Sequence, residues 1–138
     1  MIGGGAASRA NAAHRVTLMD FYAAFNDRDA DAATGRMTPD VDWPDATGKR
    51  VHGPSAVRRV LEAAWQAGDP RLEPTAIDFD VEGNAHVRVH ELVRSKAGEI
   101  LEDRKIEHVF AFDGAFIARL DVVERDPDPE AEEDDEDE

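Results

Sequence analysis

The chain has 138 residues, 31 acidic against 16 basic, and a formal net charge of −15. That length suits one domain with a core of its own and is too short for two. There is no cysteine, which excludes disulfides, a thiolate nucleophile and a sulfur metal site, and which fits a reducing compartment.

The charge is unevenly spread. From Glu124 to Glu138 stand eleven acidic residues and one basic, Arg125, a balance of −10, while the other 20 acids and 15 bases contribute −5. Residues 125–138 hold no apolar side chain larger than alanine, so a solvated, disordered acidic tail is expected there. Such a tail serves solubility on one reading and engages a basic partner on another. The remaining chain has no basic surplus to neutralise phosphates, which argues against nucleic acid as a partner. No stretch is apolar for long enough to act as a signal or to span a membrane, and residues 1–12 read as a flexible lead-in to a cytoplasmic protein.

In chain order, Val16, Met19, Phe21, Tyr22, Ala24 and Phe25 form an apolar stripe that predicts a helix ending at Asn26-Asp27-Arg28-Asp29. A short second helix to Met37 is expected next, with Thr38-Pro39-Asp40 as punctuation. Val41, Trp43 and Asp45 then alternate along a short strand, which sets one carboxylate on the same side as a valine and a tryptophan. Gly53-Pro54-Ser55 opens a third helix, carried by Val57, Val60, Leu61, Ala64 and Trp65 and stopped at Gly68-Asp69-Pro70. Strands are expected over 72–82, 85–95, 101–112 and 115–124, with turns at Gly83-Asn84, at 96–99 and at Asp113-Gly114. Helices followed by a meander of strands predict an α+β domain with helices on one face of a sheet.

Few residues carry chemistry by type and spacing. His86, Arg88 and His90 alternate with Val87 and Val89, so all three point to one side. They form a cationic wall of a pocket on one reading. On the other, which ordinary alternation favours, the valines face the core and the three polar residues face solvent or a partner. His86 and His90 are spaced to share a zinc ion, but no third ligand is indicated, and neither metal nor cofactor is expected. Tyr22, Trp43 and Trp65 line a cavity or pack a core, with core spacing favouring the second. Asp45 follows a proline and has the alternative of closing a turn through its own backbone. No Ser-His-Asp set and no phosphate-binding glycine loop is present.

The succession FYAAFNDRD, MTPDVDWPDA, VHGPSAVRRVLEAAW and KIEHVFAFDGAFIARLDVVE resembles the nuclear transport factor 2-like (NTF2-like) superfamily, in its ketosteroid isomerase-like and SnoaL-like branch, over residues 13–124. The resemblance implies a cone of three N-terminal helices packed on a strongly curved, mostly antiparallel sheet, with an apolar ligand pocket in its mouth. It also implies a homodimer formed by the outer face of the sheet, where Val109, Ile117 and Val123 would lie. By the same resemblance Asp45 matches the isomerase's catalytic aspartate. Phe21 stands at its oxyanion-hole tyrosine, with Tyr22 displaced by one residue. The second oxyanion donor falls on His108 when the FAFDGAF turn is aligned or on Glu107 when the preceding isoleucine is, His108 being preferred because Phe110 and Phe112 share its face. Aligning Glu91 with the isomerase glutamate turns Arg88 and His90 into the pocket, and Asp121 is a reserve acid.

Two functions follow as expectations. In the first, Asp45, with a raised pKa, and His108 move a proton on a small apolar or carbonyl-bearing substrate, as in an isomerase, cyclase or hydrolase, against walls of Phe21, Tyr22, Trp43, Trp65 and Phe110, with Arg88 and His90 as further contacts. In the second, the domain is a non-catalytic ligand-binding or dimerising module.

Overall fold

The computed structural model describes residues 2–124, and the acidic tail expected at 125–138 lies outside them. The elements run α1 (Ile2–Asn26), α2 (Ala30–Thr34), β1 (Met37–Pro44), β2 (Arg50–His52), α3 (Pro54–Ala67), β3 (Asp69–Phe79), β4 (Ala85–Arg94), β5 (Ile100–Asp113) and β6 (Phe116–Glu124). One six-stranded sheet has the order β2-β1-β6-β5-β4-β3, antiparallel throughout except where β1 runs parallel to β6. The fold is α+β. Two helices precede β1, and the third connects β2 to β3.

α1 begins at Ile2, ahead of the boundary drawn at residue 13, because Arg9, Ala10, Ala12 and Ala13 are good helix formers even without an apolar stripe. Its buried face is also rotated from the one expected. Leu18, Phe21, Tyr22, Ala24 and Phe25 are buried with Thr17, whereas Val16 and Met19 are exposed. Neighbours on a helix differ by about 100°, so a stripe started two residues early points partly outward. The helix ends where Arg28 adopts a left-handed φ of 63°, and the Asp29 carboxylate caps α2 by accepting from the Ala32 N–H at 3.1 Å. α2 stops at Thr34, so Thr38-Pro39-Asp40 belongs to β1, with a register shift between Met37 and Asp42, instead of separating helix from strand.

The inner face of the sheet is set by alternation: Val41 and Trp43, Ala85, Val87 and Val89, and Ile106, His108 and Phe110 are all buried. Extra residues at Thr75, Leu101 and Ala118 shift the register and reverse the alternation beyond them. At Ala118 this has a large effect. Ile117, expected on the outer face as part of a dimer contact, is fully buried, pairs with Phe112 and donates its N–H to the Arg36 carbonyl. Its neighbour Phe116 is half exposed.

The core is an aromatic stack between α1 and the sheet. Phe21 meets Trp43 edge-on at 5.5 Å and Phe110 at 6.1 Å. His14, just past the lead-in expected at residues 1–12, joins this packing, stacked on Phe112 at 3.8 Å with Nε2 donating to the Gly114 carbonyl. At the other end of α1, Asn26 acts as a surrogate strand for the edge of β3. Its Nδ2 donates to the Leu72 carbonyl and its Oδ1 accepts from the Leu72 N–H, both at 2.9 Å.

Two substitutions test this packing. Phe110→Ala removes a fully buried ring and should lower stability by about 3–5 kcal/mol in denaturant unfolding, whereas Asn26→Ala should cost about 1–3 kcal/mol and raise amide exchange along β3.

Candidate functional site

Two polar groups are carried into the aromatic interior. Tyr22 lies on the buried side of α1, one turn before its end, and His108 points inward from β5 between Ile106 and Phe110. Their rings are parallel within 4° at 5.8 Å, and the Tyr22 hydroxyl lies 2.7 Å from His108 Nδ1. Phe110 stands edge-on to both, at 6.2 Å and 5.9 Å. Burial pulls the imidazole down to about 4, so it is neutral near pH 7, and burial pushes the phenol well above its ordinary value of 10.0.

Neutrality leaves the pair with unused capacity. If the phenol donates to Nδ1, the imidazole proton sits on Nε2, which the pair itself does not use. If Nδ1–H donates to the phenol oxygen, the phenol O–H is left over. Either way one donor remains for a third group. Beside Tyr22 an open groove of about 310 Å³ runs between α1 and β3, lined by Met19, Tyr22, Asn26, Arg71, Leu72 and Pro74.

Asp45 is placed elsewhere. β1 ends at Pro44, so the parity linking Val41 and Trp43 to Asp45 is broken one residue too early. The carboxylate closes the turn into β2. Its Oδ1 accepts from the Thr47 hydroxyl at 2.6 Å, the Thr47 N–H at 2.8 Å and the Lys49 N–H at 3.0 Å. Those donors, the Thr47 hydroxyl foremost, hold its pKa below the usual 3.8, opposite to the rise expected of a carboxylate in an apolar pocket. The partner that meets His108 is Tyr22. Both had been singled out in the sequence, but contact between residues 86 apart has no local signal. Phe21, Trp43 and Phe110, with 3%, 3% and 0% of their surface exposed, are packed core and do not line the groove. Trp65 packs partly buried against Phe25.

Arg88 and His90 point away from this interior, because Val87 and Val89 take the inner positions of β4. Arg88 is exposed, and His90 Nε2 lies 2.6 Å from Asp103. On the same outer face His86 stands between two carboxylates, Nε2 at 3.0 Å from Asp80 and Nδ1 at 2.8 Å from Glu107. Both nitrogens face acceptors, and the two carboxylates, Asp80 first, raise its pKa above 6.5 and so favour the imidazolium. Asp121 also faces outward. It joins Arg50, Asp42 and Arg119 in a closed set of ion pairs, and Arg119 holds its carboxyl below the usual range. Among the described residues no group of three or more His, Asp or Glu is arranged to hold a metal ion, and no helix is long and apolar enough to cross a membrane.

Comparison with known proteins fits this architecture. The family model for the SnoaL-like domain matches residues 18–121. The chain belongs to the SnoaL-like domain family. Its place is in the NTF2-like superfamily, on the SnoaL-like branch. Among curated proteins none matches the chain. Solved structures do. A protein from Sinorhizobium meliloti assigned as a polyketide cyclase is 25% identical, with 77% of this chain and 92% of that one covered at a TM-score of 0.67. An NTF2-like protein of unknown function from Burkholderia pseudomallei is 21% identical, covering 82% and 91% at 0.72. TerC, co-crystallised with polyporic acid, is 19% identical, covering 88% and 96% at 0.72. The last two likenesses concern the fold alone.

The two buried or bracketed histidines give opposite pH dependences. His108, neutral when folded, disfavours the folded state as pH falls from the unfolded value of 6.5 towards about 4, a loss on the order of 3 kcal/mol. His86, its pKa raised in the folded state, contributes stability that is full below 6.5 and is lost as pH rises through its raised value. Denaturant unfolding across pH 4–9 should therefore show a maximum, with His108→Gln flattening the acid limb and His86→Gln the alkaline one.

Proposed function

We propose that this SnoaL-like domain binds a small, largely apolar, carbonyl- or hydroxyl-bearing molecule, with the Tyr22–His108 pair as its polar anchor. The observation that carries this reading is the neutral hydrogen-bonded pair inside an aromatic shell, one donor of which the pair itself leaves unused. The groove beside Tyr22 supplies an approach along α1. The names polyketide cyclase and polyporic acid among the structural relatives point to ligands of the same general kind.

Binding by hydrogen bonds fits this interior better than proton abstraction by a carboxylate. Apart from Tyr22, the buried polar side chains of the described residues are Thr17, Thr38 and His108, and none is acidic. Asp45, committed to three turn hydrogen bonds at low pKa, is a poor base. If a reaction is catalysed, the neutral His108 is the group able to accept a proton, and the Tyr22 hydroxyl the group able to steady a developing oxyanion.

Calorimetric titration with polyporic acid as a first probe tests the reading. Tyr22→Phe, which keeps the ring and removes the hydroxyl, should weaken binding about five- to tenfold, the value of one hydrogen bond. Asp45→Asn should leave it unchanged. Loss of binding in Asp45→Asn with full retention in Tyr22→Phe would restore the aspartate as the centre of the site and end this proposal.

A further inference from the structure

The Tyr22–His108 pair is closed off from solvent. Tyr22 keeps 1% of its surface exposed and His108 5%, so a ligand reaches them only where the interior parts. The groove of about 310 Å³ between α1 and β3 marks the place, since Tyr22, Asn26, Leu72 and Pro74 all border it. Asn26 stands four residues after Tyr22 in α1, on the same side of the helix. Its side chain spends both hydrogen bonds on one residue of β3, donating to the Leu72 carbonyl and accepting from the Leu72 N–H at 2.9 Å each. No other hydrogen bond joins α1 to β3 among the described residues.

The sequence of β3 explains why one side chain carries this junction. β3 is an edge strand, and its backbone groups point alternately towards β4 and away from it. Pro70, Leu72 and Pro74 share the parity that points away, in unbroken register with Val93, Glu91 and Val89. Proline has no N–H, so Leu72 alone of the three can donate across the groove, and Asn26 accepts from it. Beyond Pro74 the extra residue Thr75 interrupts the ladder with β4, which gives the strand a point of flexure. Before Pro70 the tie is an exposed ion pair of Arg28 with Asp69, of a kind that contributes little. Parting residues 70–74 from α1 turns the Leu72 N–H and carbonyl towards water, which satisfies both, so this opening costs far less than unfolding.

Building on the small-molecule reading above, we propose that Asn26 is the latch of an entrance between α1 and β3, and that a ligand reaches and leaves the Tyr22–His108 pair when the Asn26–Leu72 bonds part. The latch is closed with and without ligand. Asn26 therefore governs the rates of exchange and leaves the affinity to Tyr22 and His108.

Acylation of His108 by diethyl pyrocarbonate near pH 7, read residue by residue by mass spectrometry on the full chain, measures the opening without any ligand. The exposed His52 gives the unprotected rate. In Asn26→Ala, His108 should be acylated about tenfold faster, the value of the hydrogen bonds removed, with His52 unchanged. Leu61→Ala loses a buried side chain of α3 that does not border the groove, so it controls for stability alone and should change His108 less. Equal acceleration in the two variants, or none in Asn26→Ala, overturns the proposal. In the unmodified chain the His108 rate should stay almost flat at low urea, as for a local opening, whereas a slope matching global unfolding overturns the proposal even if Asn26→Ala fails to fold. With polyporic acid as probe, Asn26→Ala should raise the association and dissociation rates together, about tenfold, at nearly constant affinity. Weaker binding with an unchanged association rate overturns the latch. If polyporic acid does not bind at all, the Tyr22–His108 reading loses its support, and the acylation rates decide the entrance by themselves.

Discussion

A phenol and an imidazole cannot enter an aromatic interior unless they satisfy one another and stay uncharged. In this chain the 2.7 Å contact between Tyr22 and His108 meets that condition, and much else is arranged to permit it. Tyr22 must lie on the inner face of α1, which turns Val16 and Met19 outward. His108 must take an inner position on β5, which commits Glu107 and Val109 to the outer face. Phe21, Trp43 and Phe110 then exclude water around the pair, so the low surrounding polarity that depresses the imidazole also strengthens its hydrogen bond.

The outer face of the sheet follows the opposite logic. Its polar side chains are numerous and paired, and they use charge where the interior forbids it. Arg50 and Arg119 each reach both Asp42 and Asp121, fastening the short β2 and the parallel strand β1 to β6. His86 bridges the β3–β4 turn and β5 through Asp80 and Glu107. The same residue type is thus drawn towards the cation on one face and held as a neutral base on the other. Solvent access and neighbouring carboxylates decide which, and alternation along a strand decides who receives them.

Single-residue bulges give this alternation its local exceptions. Ala118 is the clearest. One unpaired residue lets both Ile117 and Leu120, three apart, face inward, while Arg119 and Asp121 remain outside to form ion pairs. The outer surface available for a second copy of the chain is therefore more polar than strict alternation implies, with Val109 and Val123 set among charged groups. Arg28 plays a related part at a helix end. Its left-handed turn breaks α1 and lays a guanidinium across Phe25 and Trp65.

Local spacing determined the elements, because each depends on neighbours within a few residues. The α3 stripe of Val57 and Leu61 between Gly53-Pro54 and Gly68, the alternation of Val87 with Val89, and the Gly83 and Gly114 turns were all legible, and with them an α+β domain of the SnoaL-like kind. The inward setting of His108 beside Phe110 follows from the same alternation. What spacing could not determine is anything that depends on where a strand stops or on which distant residue completes a contact. Asp45 shares the parity of Trp43 but lies one residue beyond the end of β1, so turn hydrogen bonding took it. Tyr22 and His108, or Asn26 and Leu72, are partners only because α1 packs across a sheet formed by strands far along the chain. Tertiary structure decided these, since the free energy of burying a polar group is set by the partner that the fold brings to it, and that partner leaves no mark on the local sequence.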